Sequence, residues 1–228
     1  KKGDSIEILN GDLDLSVENS GVSIANKGNG NVTVNNEDIT KQKEYIRSRK
    51  IGRVYQDPSM GTCPSMTILE NMSLADNKGK SYGLGMGTNK KRINYYKELL
   101  SRLNLGLEDM LNTKVGALSG GQRQAMALLM TTMSDIKFLI LDEHTAALDP
   151  KTAELIMKFT DEIVKEKKIT TIMVTHNLRF ATEYGNRILM MHKGNVIIDK
   201  AGEEKDNINI DDLLSKFNEI SIELGNSI

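Results

Sequence analysis

The chain has 228 residues, enough for one large domain, or one domain with a lobe, and for a sizeable core. With 39% hydrophobic and 27% charged residues it has the composition of an ordinary globular protein. A net charge of −1, no Trp and only 4% aromatics argue against a nucleic-acid partner, which calls for a basic footprint and stacking platforms. The single cysteine, Cys63, cannot close an internal disulfide and fits a reducing compartment. The opening residues KKGDSIEILNG lack an apolar signal segment, and no apolar run reaches the roughly 20 residues of a spanning helix. The expectation is a soluble chain that meets a membrane only through a partner.

The chain divides into four stretches. Residues 1–57 read as a β-rich portion: Leu13, Leu15 and Val17 alternate with polar neighbours, as do Val32 and Val34, between Asn/Gly turns. Residues 58–118 read as mostly helical, with a helix starting at Ile68 after Thr67 and another over 92–105, separated by a Gly- and Lys-rich loop over 77–89. Residues 119–200 alternate helix and strand: helices over 121–133, 152–167 and 178–184, strands over 136–141, 170–174, 187–191 and 196–199. That alternation predicts an α/β core with a mostly parallel sheet and helices packed on it. The tail, 201–228, predicts a weakly amphipathic terminal helix.

Two segments carry chemistry. The run Phe138–Leu141 is continuously apolar, as a strand buried on both faces must be, and it ends in two acids, Asp142 and Glu143. The carboxyl end of such a strand is where α/β sheets bind ligands. An isolated acid pair is more often a solvated helix cap than a site. Upstream, Leu118-Ser119-Gly120-Gly121-Gln122-Arg123-Gln124 places a Ser-Gly-Gly turn at a helix start. There, bare amides and the helix dipole favour an anion. By itself that turn is common.

Read together, LSGGQRQ and FLILDEHTAALDP resemble the ATP-binding cassette (ABC) ATPases over roughly residues 5–200. LSGGQ matches their signature motif, LILDE their Walker B strand and AALD their D-loop. The resemblance implies the ABC-type P-loop NTPase fold: a mostly parallel core, an antiparallel β portion and a helical subdomain. It implies ATP and Mg²⁺ as ligands. Asp142 would hold the metal through water, and Glu143 would polarise the attacking water. Gln56, in GRVYQDP, resembles the Q-loop glutamine, a further metal ligand. His176, in VTHN, resembles the switch histidine at the γ-phosphate. Ser119, Gly120, Gly121 and Gln122 would touch nucleotide bound to an opposite subunit, and Asp149 would pack across that dimer or cap the helix after it. The implied partners are a second cassette, as homo- or heterodimer, and a transmembrane permease subunit that holds the chain peripherally on the cytoplasmic face of the cell membrane. His144 stands where the family usually has Pro and is given no chemistry. His192 is read as structural.

The phosphate-gripping loop expected of the family, G-x-x-x-x-G-K-[S/T], does not occur. Gly79-Lys80-Ser81 is preceded five residues earlier by Leu74 and by no strand. NGDLDLSVEN (10–19) resembles the family's lead-in to the loop, and residues 20–40 resemble its segment after the loop's helix, so the gap falls near 19–21. The missing piece is on the order of 20 residues, a strand, the loop and a helix. Three explanations stand: a segment lost from the sequence, an in-frame deletion, or a degenerate cassette that serves an intact partner. The first is favoured because Gln56, LSGGQ, Asp142, Glu143, Asp149 and His176 all remain. The functional expectation is the ATP-hydrolysing subunit of a bacterial importer of a small solute such as an amino acid. The alternative is a truncated cassette that cannot bind ATP alone and acts as a partner or regulatory subunit.

Overall fold

The computed structural model describes residues 33–34, 37–80, 87–192 and 195–223. The expected strand over 13–17, the junction near 19–21, the centre of the 77–89 loop and the last five residues lie outside them. Elements run β1 (Thr33–Val34), β2 (Glu37–Asp38), α1 (Glu44–Arg47), β3 (Ile51–Val54), α2 (Ile68–Asp76) and α3 (Ile93–Ser101). They continue with α4 (Gly120–Met133), β4 (Phe138–Asp142), α5 (Pro150–Lys167), β5 (Thr170–Val174), α6 (Leu178–Glu183), β6 (Arg187–His192), β7 (Asn195–Ala201), α7 (Glu203–Asp206) and α8 (Ile210–Glu223). The chain forms two compact units, 41–174 and a second that joins residues up to 40 with 175 onward.

In the first unit, β3, β4 and β5 form a parallel sheet in that order. β4 is central, and its Phe138, Leu139 and Leu141 are buried, as its uninterrupted apolar run requires. Val54 pairs with Leu141 and Asp142 with Val174, so all three strands finish at one end of the sheet. Gly52 lets the sheet meet its helices closely: a Cβ there would lie 2.6 Å from both Ile136 Cδ1 and Thr131 Cγ2.

Helix α4 is the hub of this unit. Nine of its residues are buried, among them Ala125–Met130, because it packs on β3, α2, α3 and α5 at once. Helix α2 starts in a capping box, with Thr67 Oγ1 accepting from Glu70 N–H and Glu70 Oε2 accepting from Thr67 N–H. Helix α3 is shorter than the predicted 92–105 run. Asn104 and Gly106 take left-handed φ values of 52° and 69°, which end the helical path. Conversely, α5 begins two residues before the predicted start, since Asp149 caps it and Pro150 occupies its first turn.

In the second unit β1 pairs antiparallel with β2, and β6 with β7 through a bulge at Met190/Met191. Arg187 grips Asp199 across the β6–β7 pair with two bonds of 2.7 and 2.6 Å. Phe180 of α6, Ile188 of β6 and Leu213 of α8 are buried. Lys205 is buried too, and its ammonium donates to the Thr182 carbonyl at 2.7 Å.

Candidate functional site

Helix α4 opens on Ser119, whose extended backbone places it at the N-cap. Its Oγ accepts from Gln122 N–H at 3.2 Å, and Gln122 Oε1 accepts from Ser119 N–H at 3.1 Å. Because Oγ acts as acceptor in this capping box, the hydroxyl hydrogen stays available to donate outward. The first helical bond runs from Arg123 N–H to the Ser119 carbonyl, so the helix offers no acceptor to the amides of Gly120 and Gly121. Ser119 and Gly120 are exposed at this positive helix end, while Gly121 is buried. This is the chemistry of an anion site.

The two glycines answer to different constraints. A Cβ on Gly120 would have nothing within 4 Å, so its side is open to a ligand. A Cβ on Gly121 would sit 2.3 Å from Thr152 Cγ2 in the first turn of α5. Gly121 thus brings the N-terminus of α4 against the N-terminus of α5, a contact that the motif alone does not disclose.

The two acids stand at the carboxyl end of β4. Glu143 takes φ of +45°, a conformation that costs a non-glycine residue on the order of 1–3 kcal/mol. It is pinned on both sides: its N–H donates to the Val174 carbonyl at 3.0 Å, and its carbonyl accepts from Ala146 N–H at 2.9 Å. The chain therefore turns sharply off the sheet at Glu143. Asp142 carries a partner not foreseen from sequence. Arg53 of β3, 89 residues away, donates Nη2–H to Asp142 Oδ2 at 2.7 Å and lies over the Tyr55 ring at 4.6 Å. Both members are well exposed, so the pair adds little stability, but it sets a cation beside the acid. Gln56 is exposed two residues past Val54, the partner of Leu141, and so lies at the same sheet end as the acids.

Asp149 accepts from Thr152 N–H at 3.0 Å and caps α5. The hydrogen bonds from Thr152 hold its carboxyl below the usual carboxylate range. His176 is exposed two residues beyond β5 and belongs to the second compact unit, whereas both acids belong to the first. His144, given no chemistry from sequence, is 2% exposed, and its Nε2 lies 3.3 Å from Thr160 Oγ1. Thr160 commits its own proton to the Ile156 carbonyl at 2.7 Å, so His144 is the donor. Burial pushes its pKa down to about 4. Gln124 closes the LSGGQRQ run but is given no role by the sequence, yet it is 1% exposed and donates Nε2–H to the Tyr55 carbonyl at 2.9 Å.

Within one compact unit the chain holds a parallel sheet whose central strand ends in an acid pair and a long helix with a capped, exposed start, the parts of an α/β nucleotide-binding fold. The ABC transporter family model matches residues 22–146, and the chain belongs to that family. It is 49% identical over 191 residues to a tyrosine transport ATP-binding protein of Clostridioides difficile, a match covering 84% of this chain and 76% of that one. It is 34% identical over 171 residues to the phosphate import ATP-binding protein PstB of Aeropyrum pernix, covering 74% of this chain and 65% of the relative. Among solved structures, the dimeric post-hydrolysis state of the cassette MJ0796 bound to ADP and Pi has 30% identity and a TM-score of 0.62. That likeness covers 75% of this chain and 73% of the other. The ADP conformation of the cassette MJ1267 is alike in fold, with a TM-score of 0.67 over 98% of both chains. Cassettes of this family bind ATP. Among the described residues, no helix is long and apolar enough to cross a membrane.

Proposed function

We propose that this chain is the ATP-hydrolysing subunit of a bacterial importer whose solute is an amino acid of the tyrosine class. The observation that carries the reading is the 49% identity to a tyrosine transport ATP-binding protein over 84% of the chain. Asp142 and Gln56 are the residues that would hold Mg²⁺. Their oxygens suit a hard cation that keeps several waters, and such a site needs no larger cluster of protein ligands. The metal, when bound, neutralises phosphate charge. Glu143, held by its two backbone bonds, orients water and takes its proton. His176 contacts the γ-phosphate. Ser119, Gly120, Gly121 and Gln122 donate to nucleotide held by the opposite cassette, with Asp149 packed across the dimer. Residues 58–118 form the arm that meets the permease, and residues 1–57 and 119–200 make up the ATPase core, with the tail 201–228 after it. Docking on the permease keeps the chain on the cytoplasmic face of the membrane.

The test is uptake of labelled tyrosine, phosphate and methionine in the source cell with this gene deleted. Tyrosine uptake alone should fall, and the intact gene should restore it where the Glu143→Gln version does not. Unchanged tyrosine uptake on deletion overturns the solute assignment.

A second reading is favoured by one sequence observation, that no G-x-x-x-x-G-K-[S/T] occurs. In it the chain supplies its signature helix to an intact partner cassette and binds no nucleotide alone. Calorimetric titration with Mg-ATP separates the two: millimolar nucleotide gives no heat with this chain under the second reading. Under the first, heat appears once the phosphate loop is present.

A further inference from the structure

Gln124 lies one turn inside α4, five residues after the capping Ser119, and its side chain is almost fully buried. Its amide donates to the carbonyl of Tyr55, 69 residues away. That carbonyl belongs to the peptide plane joining Tyr55 to Gln56, so whatever holds the oxygen also sets the direction in which the chain leaves toward Gln56. The amide cannot be turned over, because Oε1 would then face a carbonyl oxygen. Downstream, the short 3-10 turn Pro58–Gly61 packs against α4. The segment between Tyr55 and Gly61 is therefore tied to α4 at both ends.

The amide is only half satisfied. Gln124 Oε1 is buried with no partner among the described residues. A buried acceptor left unmade is costly, and an apolar side chain of similar size would escape that cost. Packing does not explain a glutamine here. A donor aimed at the Tyr55 carbonyl does.

We infer that Gln124 is a positioning residue that couples the signature turn to Gln56: a displacement of the Ser119 end of α4 is passed through the Gln124 amide to the Tyr55–Gln56 peptide. This rests on the reading of Gln56 and Ser119 as site residues, but its test uses no nucleotide, so the two can fail separately. Tyr55–Gln56 is the only Tyr-Gln pair in the sequence. A full-length chain labelled with ¹³C-carbonyl tyrosine and ¹⁵N glutamine thus gives one Tyr-to-Gln cross-peak in a carbonyl-to-amide NMR correlation. Gln124→Met should move that peak, the carbonyl shifting upfield on losing its donor. Ser119→Arg should also move it in the parent background, and by about fivefold less when Gln124→Met is present, the non-additivity of coupled sites. A scalar coupling across the hydrogen bond, from Gln124 Nε2 to the Tyr55 carbonyl carbon, should be present in the unsubstituted chain and needs no variant to fold. Absence of that coupling, or an equal response to Ser119→Arg in both backgrounds, overturns the inference.

Discussion

Alanine substitutions at the two adjacent glycines of the signature motif should have opposite effects on stability. At Gly121 the new Cβ lies 2.3 Å from Thr152 Cγ2, 3.5 Å from its Cβ and 3.7 Å from its Oγ1. Thr152 yields poorly: it is β-branched, and its N–H is tied to Asp149. Overpacking costs about 1–3 kcal/mol, and a 2.3 Å approach to a side chain that yields poorly falls in the upper part of that range, so after alanine's return of up to about 1 kcal/mol of helix propensity a net loss of about 1–2 kcal/mol remains. At Gly120 nothing lies within 4 Å, so only the propensity gain remains, at most about 1 kcal/mol. Urea unfolding of the full chain should place the two variants about 2 kcal/mol apart, on either side of the parent. Because the clash is with a methyl, Thr152→Ser should recover most of the loss in Gly121→Ala. A Gly121→Ala chain as stable as the parent, or no rescue by Thr152→Ser, refutes the close packing of α4 on α5. Gly120→Ala, in contrast, should weaken closure of the cassette dimer, since the methyl projects where a phosphate would approach.

Three further outcomes are expected. His144 is neutral in the fold down to pH about 4, whereas the unfolded chain protonates near 6.5, so stability is full above that value and falls with pH between the two. Between pH 7.5 and 5 the loss should be about 2 kcal/mol larger for the parent than for His144→Leu, measured by urea midpoint at each pH; parallel curves refute it. In the cassette with its phosphate loop present, Glu143→Gln should abolish turnover while keeping ATP binding and trapping the dimer, as read by phosphate release and size exclusion; undiminished turnover removes Glu143 from the chemistry. Asp149→Ala should lower the thermal midpoint through loss of the α5 cap, and Asp149→Asn, which keeps an acceptor oxygen, should restore most of it; an unchanged midpoint in Asp149→Ala removes the cap from the fold's stability.

Much of this site was legible because its parts are local. A continuous apolar run ending in acids reads as a buried parallel strand, and β4 is one, shifted to Phe138–Asp142. Ser119 and Asp149 are caps three residues from the amides they accept, so spacing alone locates them. Caps, periodicity and turn residues act over a few positions, and a chain carries that information in its order. The Arg53–Asp142 pair, the Gln124 amide on the Tyr55 carbonyl, the Gly121–Thr152 contact and the burial of His144 against Thr160 were decided by tertiary structure alone. The first follows from the pairing of β3 with β4, and the others from packing that involves α4 or α5, so each joins residues far apart in the chain. The left-handed turn at Glu143 belongs with them: local preference favours glycine there, and it is the backbone bonds to Val174 and Ala146 that hold a glutamate in that conformation instead.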